Sequence, residues 1–398
     1  MALEPLTLAI NPGSASRKYT LFRNLIEVAN LHFEFVDDSI ICSFESDGKE
    51  KTLAYDDKDL TYVSKYVLPL LKKNHLIKDF NDIKAIGIRT VAPSDDFTLD
   101  KLVTVGVLDE LDRIHEKAPL HIKAVLNEVK QLMNNIPNTP IVIVSDSSFH
   151  STKPDYAKYY GIDLDVANQT DIKRYGFHGL SMESIVETLK KEDRLLSKTI
   201  VCHIGGGCSV SALLNGKSMD NTMGYTPLEG LMMSTRSGTI DVSAALLLKK
   251  SLGLSDDGLE YYLNKQSGLL GVSGTSNDIR QLVVDESKGD IRAKLALALF
   301  SYKIRQGIAQ MAAALDGADC LVLTATIGER SNIIRKKILD HVAYLGFQYN
   351  SDLNDKVYEP KTAVDISING SKPIYIIHTD ESLEIARHAD KVVDEISN

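Results

Sequence analysis

Apolar residues recur along this chain with two periods. Short β-type runs at Leu6–Ile10, Tyr19–Phe22, Ile83–Ile88, Thr199–Cys202, Ser209–Leu214, Cys320–Leu323 and Ile374–Ile377 read as strands. Residues 29–56 alternate apolar and polar positions around turns such as Asp47-Gly48, the pattern of further strands. Pro140-Ile141-Val142-Ile143-Val144 is apolar throughout, which predicts a strand covered on both faces. Other segments follow the helical period. Over residues 60–79, Val63, Tyr66, Val67, Leu70 and Leu71 share one face, and Pro69 predicts a kink or break. Ile122, Val125, Leu126 and Val129 do the same over His121–Met133. Ser181–Lys190, Val242–Leu252, Leu259–Lys265 and Ser382–Ile396 also read as helices. In residues 292–315, Leu295, Leu299, Ile304, Ile308, Met311 and Leu315 fall at roughly helical spacing and predict a core or oligomer helix. Ser267–Gly274 reads as a Gly/Ser-rich loop. Strands alternating with helices predict an α/β fold.

One stretch, residues 199–241, organises the rest. The strand at Thr199–Cys202 leads to Gly205, Gly206 and Gly207, then to a second strand and the hairpin signal Asn215-Gly216. Exposed N–H groups on a glycine turn suit an anion such as phosphate; the plain alternative is an ordinary hairpin with a glycine-rich tip. The N-terminus repeats the pattern. Leu6–Ile10, the turn Asn11-Pro12-Gly13-Ser14-Ala15-Ser16-Arg17-Lys18 and Tyr19–Phe22 again give strand, small polar turn, strand. Asn11 matches His203 and Gly13 matches Gly205, at an offset of about 192 residues, close to half the chain. A repeat at half length predicts two similar α/β domains, each pointing a hairpin at a shared phosphate-binding cleft.

Composition narrows the function classes. With 398 residues the chain exceeds one ordinary core, so two domains are expected. A formal net charge of −9 argues against nucleic acid or an anionic membrane as the main partner. No apolar run approaches a membrane span, and the N-terminus lacks the pattern of a secretory signal. Cys42, Cys202, Cys208 and Cys320 have no paired metal spacing, and read as reduced, mostly buried thiols of a cytoplasmic protein.

Several polar residues stand at strand ends. Arg89 closes the strand Ile83–Ile88, a place where open α/β sheets set ligand contacts, or where a solvated edge arginine sits. Asp146 follows the apolar strand and either contacts a ligand or caps the next helix; local pattern favours the cap. Arg174-Tyr175-Gly176-Phe177-His178-Gly179 gathers a cation, aromatics and an imidazole around two glycines. Together with Arg236 and Glu381, these groups fit phosphoryl transfer, which needs neutralised phosphate charge, a bridging cation and in-line positioning. Neither a Walker A motif nor a protein-kinase glycine loop is present.

At this point the chain resembles the acetate kinases, of the actin/hexokinase-like superfamily, nearly end to end. Asn11-Pro12-Gly13-Ser14-Ala15-Ser16, Ala118-Pro119-Leu120-His121 and Arg174–Gly179 are close to signatures of that family. So are residues 223–233, Thr235-Arg236-Ser237-Gly238 and Thr379-Asp380-Glu381. The resemblance implies duplicated ribonuclease H-like α/β domains with a cleft between them: residues 1–147, completed by the helix 382–398, and residues 148–381. It implies reversible transfer between ATP and acetate, giving acetyl phosphate and ADP, with Mg²⁺ or alternatively Mn²⁺, in a cytoplasmic homodimer. Arg89, Asp146, His178 and Arg236 would be catalytic, with Asp146 orienting Arg89. Arg89, Val91, Leu120, Phe177 and Pro227 would bind acetate. Ser14, Ser16, Lys18, His203, Gly205, Gly206, Gly207, Asp278, Arg280, Thr326 and Gly328 would line the phosphate and nucleotide path, and Asn11 and Glu381 would support the metal.

Some positions depart from the family pattern. Gly206 stands where an Asn is usual, and Thr239 where an Asp is usual. Ala325-Thr326-Ile327-Gly328-Glu329-Arg330 replaces Gly-Gly-Ile-Gly-Glu-Asn. Thr326, branched at Cβ, is expected to narrow the adenosine pocket and to weaken ATP, leaving pyrophosphate as an alternative donor. A kinase of a related short-chain carboxylate is a further alternative. A catalytically weak regulatory relative is the reading from another class; retention of Arg89, Asp146, His178, Arg236 and Glu381 argues against it.

Overall fold

The computed structural model describes residues 5–13, 16–36, 38–115 and 119–397, with the side chains of residues 119–121 and 397 excepted. Ser14 and the side chains of Leu120 and His121 therefore lie outside the described residues. The chain divides into two compact units, Met1–Ser148 with Asp380–Asn398, and Phe149–Thr379.

The first unit holds an eight-stranded sheet. Its strands are β1 (Leu6–Pro12), β2 (Ser16–Arg23), β3 (Ile26–Val36), β4 (Ser39–Ser46), β5 (Lys49–Tyr55), β6 (Ile83–Thr90), β7 (Lys101–Leu102) and β8 (Ile141–Ser145), in the order β5-β4-β3-β2-β1-β6-β8-β7. The first five form an antiparallel meander, β1, β6 and β8 run parallel, and β7 closes the edge antiparallel. The second unit holds β9 (Lys198–Ile204), β10 (Cys208–Leu214), β11 (Lys217–Asn221), β12 (Cys320–Thr324), β13 (Val364–Asp365) and β14 (Ile374–Ile376), in the order β11-β10-β9-β12-β14-β13. Its pairing repeats that of the first unit strand for strand: antiparallel β11, β10 and β9, then parallel β9, β12 and β14, then antiparallel β13. The duplication seen in the two glycine turns thus extends over six strands, and β4 and β5 are additions to the first sheet. Asn11 and His203 each occupy the sixth position of the equivalent strands β1 and β9.

Alternation explains which strand faces are covered. Tyr19, Leu21, Leu31, Phe33, Cys42 and Phe44 point into the first core, joined by Leu8 and Ile10 of β1 and by Ile122, Val125 and Val129 of the helix Pro119–Asn135. The C-terminal helix Glu381–Ser397 packs on β1, β6 and β8 through Ile385, Ala386 and Ala389. It can do so because β6 carries Gly87. A Cβ there would lie 2.7 Å from Ile385 Cγ2 and 2.8 Å from the Ile385 carbonyl oxygen. Asn215 and Gly216 turn the β10–β11 hairpin with φ of 51° and 76°, the left-handed pair that a two-residue hairpin loop needs.

Three expectations change. The helix Ser64–Lys73 runs through Pro69 without a break and ends earlier than the apolar pattern predicted. Ser267–Gly274 is a short helix, Gly268–Ser273, rather than a loop. In the long helix Ile291–Ala314 the buried face is Ala293, Ala296, Leu297, Phe300, Ile304, Ile308 and Met311, whereas Leu295 is 58% exposed. The helix lies close over β10, with Gly307 against Val210, so alanine and glycine mark its inner face as much as leucine does.

Candidate active site

In the first unit the strand ends bring Asn11, Arg89 and Asp146 together, and the C-terminal helix adds Glu381. Arg89 Nε donates to Asp146 Oδ1 at 3.0 Å and Nη2 donates to Oδ2 at 2.9 Å. Asp146 is fully buried, and this paired geometry is what a planar guanidinium and a carboxylate favour. Besides any local capping, Asp146 thus makes a tertiary ion pair across adjacent parallel strands. Arg89 Nη1 donates to Asn11 Oδ1 at 3.1 Å and lies 4.0 Å from Glu381 Oε2, which accepts from Asn11 Nδ2 at 2.9 Å. Burial works against the charge on Arg89, but Asp146 and Glu381 outweigh it and the pKa is raised. The guanidinium is a permanent cation fixed in direction, with its side chain 17% exposed. Ser16 opens β2 half-buried, Lys18 is exposed opposite Asn11, and Val91, just past β6, is half-buried.

In the second unit the glycine turn joins β9 to β10. His178 sits just before the helix Gly179–Lys191 in a left-handed conformation, φ 60°. Its ring stacks on that of His203, with centroids 3.9 Å apart and planes 18° apart. Each imidazole is held at Nδ1 by a hydroxyl: His178 by Ser209 Oγ at 2.9 Å, and His203 by Ser181 Oγ at 2.8 Å. The Nε2 atoms turn to the glycines. A Cβ at Gly207 would lie 3.2 Å from His178 Nε2 and 3.5 Å from Arg236 Nη1; one at Gly205 would lie 3.6 Å from His203 Nε2. A ring nitrogen, a guanidinium and bare backbone thus converge on one point.

Arg236 is aimed by its loop. Nη1 donates to the Pro227 carbonyl at 3.5 Å, the Arg236 carbonyl accepts from Met233 N–H at 3.0 Å, and Ser237 N–H bonds to Leu263 O at 2.9 Å. Gly206 is exposed, and a Cβ there would reach only Ser234 Oγ at 4.0 Å, so its lack of a side chain answers no steric demand. Phe177 and Pro227 are buried. The Phe177 carbonyl accepts from His150 Nε2 at 2.9 Å. Burial, helped by the Lys153 charge, pushes the pKa of His150 down to about 3, so it serves as a neutral hydrogen-bonding post.

A cavity of about 450 Å³ lies elsewhere in this unit, lined by Asp278, Arg280, Val283, Thr326, Ile333 and Tyr358 among others. Asp278 caps the helix Ile279–Ser287 and pairs with Arg280 at 2.6 Å. Thr326 lines this cavity without closing it, since the volume is within the range of ordinary ligand sites. Gly328 is buried, and a Cβ there would meet Leu323 and Ile204 at ordinary contact distances.

The roles of Ser181, Ser209 and His150 were not drawn from the sequence. Ser181 lies in a helix and Ser209 in a strand, and only the tertiary stack shows that the two orient imidazoles. Among the described residues, no cluster of three or more His, Cys, Asp or Glu side chains could hold a metal by itself. No described helix is long and apolar enough to cross a membrane.

Known proteins resemble this chain nearly end to end. The chain is 36% identical over 397 residues to the acetate kinase of Methanosarcina thermophila, covering 97% of each sequence. It is 37% identical over 400 residues to that of Thermoanaerobacterium thermosaccharolyticum, covering 98% of this chain and 99% of the relative. A crystal structure of a propionate kinase from Francisella tularensis superposes with a TM-score of 0.88 at 32% identity, over 97% of this chain and 99% of the other. The model of the acetokinase family matches residues 6–387, and the chain belongs to that family.

Proposed function

We propose that this protein transfers the γ-phosphoryl group of ATP to acetate, reversibly, giving acetyl phosphate and ADP. A carboxylate oxygen attacks phosphorus as the bond to the ADP oxygen breaks. Acetate is already ionised at neutral pH, so no side chain has to remove a proton. Catalysis then reduces to holding the reactants in line and neutralising charge. The observation that carries the reading is the convergence of His178 Nε2, Arg236 Nη1 and the Gly207 backbone on one point. A phosphoryl oxygen at that point lies within reach of both donors. When the Ser209 hydroxyl donates to Nδ1, His178 carries its proton on Nε2 and donates to that oxygen.

Arg89 is assigned to the acceptor carboxylate. Asp146 acts through Arg89 by fixing its plane, not as a base. Val91, Phe177 and Pro227 are assigned to the acetate methyl, and Asp278, Arg280 and Thr326 to the adenosine. A divalent cation, Mg²⁺ with Mn²⁺ as the alternative, supplies further neutralisation of phosphate charge when bound. The Glu381 carboxylate and the Asn11 amide oxygen would hold it. One carboxylate with an amide is a hard oxygen set, which suits a cation that keeps several waters and takes phosphate oxygens.

The same proposal includes a homodimer in the cytoplasm. Four free, buried cysteines fit a reducing compartment. The helix Val242–Leu252 buries none of its residues, and Val242 and Leu247 are 73% and 64% exposed. A second copy is the natural cover for that face; light scattering of wild type and Leu247→Lys tests this, and two monomeric species would refute it.

The test of activity is a hydroxamate assay with acetate, propionate and butyrate against ATP and pyrophosphate. Acetate with ATP should give the highest kcat/KM. A preference for propionate would point instead to a kinase of a related short-chain carboxylate.

A further inference from the structure

The helix Glu381–Ser397 carries Glu381 at its start and His388 seven residues later. Seven residues make two turns with a drift of about 20°, so the two side chains share one stripe. His388 Nδ1 bonds to Asp100 Oδ2 at 2.6 Å. A carboxylate only accepts, so Nδ1 carries the proton. The other carboxylate oxygen, Asp100 Oδ1, accepts from the Ser145 backbone N–H at 2.9 Å. Ser145 ends β8, and Asp146 follows it directly. The contacts close a ring. It runs from Glu381 through Asn11, Arg89 and Asp146 to Ser145, on through Asp100 to His388, and back along the helix.

Apolar seating alone does not account for this pair. Ile385, Ala386, Ala389 and the close approach at Gly87 hold the helix on the sheet, and Thr7 adds a bond to Asp390 at 2.5 Å. None of these is a hydrogen bond to Asp100, the carboxylate that accepts from Ser145 at the end of β8. The Asp100–His388 bond ties that strand end, and so Asp146, to the helix that bears Glu381.

We propose that Asp100 and His388 form a positioning pair for Arg89. They hold the two carboxylates that flank the guanidinium in one fixed register, so Asp146 and Glu381 cannot shift independently. The pair matters to turnover only if Arg89 serves the acceptor, as proposed above. A displacement of about 1 Å near the chemistry can cost roughly a hundredfold in rate. Loosening one of several bonds on the strand end should cost less.

His388→Ala should lower kcat/KM for acetate about tenfold while KM for ATP stays within about twofold. His388→Asn places an amide N–H near the position of Nδ1 and should recover acetate kinetics to within about threefold. Adding Asp100→Asn to His388→Ala should change little further, because the amide oxygen still accepts from Ser145 N–H and the link to the helix is already cut. Arg89→Ala is measured alongside. If it leaves acetate kinetics unchanged, the acceptor assignment itself fails. If Arg89→Ala abolishes turnover while His388→Ala alters only the melting temperature, the positioning role is overturned. Should the alanine variant fail to fold, His388→Asn is compared with His388→Gln, whose amide sits one carbon farther out. Retained acetate kinetics in Asn but not Gln supports the pair; equal values overturn it.

Discussion

Gly207→Ala isolates the chemistry from the fold. Gly207 is half-buried, and its φ is not in the left-handed region, so the backbone accepts alanine. The new methyl would sit 3.2 Å from His178 Nε2, 3.4 Å from His178 Cε1 and 3.5 Å from Arg236 Nη1. Ordinary contact is about 3.5–4.0 Å, so the ring has to yield by only a few tenths of an ångström. Stability should therefore change by less than about 1 kcal/mol. The effect on catalysis is larger, because the methyl occupies the point that a phosphoryl oxygen needs in order to meet both donors. An oxygen pushed aside by a methyl loses at least one of them. Loss of one donor to a developing charge costs about 2.7–4 kcal/mol, or 10²–10³ in kcat. Acetyl phosphate formation, trapped as the hydroxamate, measures kcat, and urea unfolding checks the fold. A folded variant within about threefold of wild type would refute the convergence at Gly207 as the phosphoryl position.

Three further outcomes are expected. Gly87→Ala pushes against the Ile385 carbonyl at 2.8 Å and should cost about 1–3 kcal/mol, read as a drop of several degrees in Tm; an unchanged Tm would show that the helix does not rest on β6 there. Thr326→Gly should leave KM for ATP within about threefold, because the cavity that Thr326 lines is already of ordinary ligand size, and a tenfold gain would show that Thr326 narrows the nucleotide site. Lys153 is buried with Nζ on the Arg174 carbonyl at 2.6 Å, and burial, with the Arg174 charge, pushes its pKa down from 10.5 to about 7. Between those values the unfolded chain binds the extra proton, so this group makes stability rise with pH from about 7 to 10.5; Lys153→Met should flatten that slope in urea melts at pH 7 and 9, and an equal slope in both proteins would refute it.

Much of the fold was legible because strand alternation and turn chemistry are local. Asn215-Gly216 forms its hairpin with both residues left-handed, and Asn11 and His203 fall at equivalent positions of equivalent strands. What was not legible depends on partners far along the chain. By local pattern Asp146 follows a strand like any helix cap; only the family resemblance pairs it with Arg89, which stands 57 residues earlier on the neighbouring strand. The stacked imidazoles of His178 and His203 need the register of β9 against the helix Gly179–Lys191, which no spacing encodes. The helix Ile291–Ala314 misled because leucines at helical spacing outweighed alanines in the reading, whereas close packing on β10 selects the smaller side chains. Gly328 was read as a ligand contact, and a Cβ there would meet Leu323 and Ile204 at ordinary contact distances. Glycine permits either approach, and the sequence does not say whether backbone or ligand comes near.

The central claim is that this chain phosphorylates acetate through the donors gathered at Arg236 and His178. Its most direct test is acetyl phosphate formation from ATP, acetate and Mg²⁺ by wild type and Arg236→Ala, both shown to be folded. Wild type should give product that depends on enzyme and acetate, and the variant should lose roughly a hundredfold or more in kcat. Equal rates in the two proteins, or no product from wild type with any short carboxylate, would contradict it.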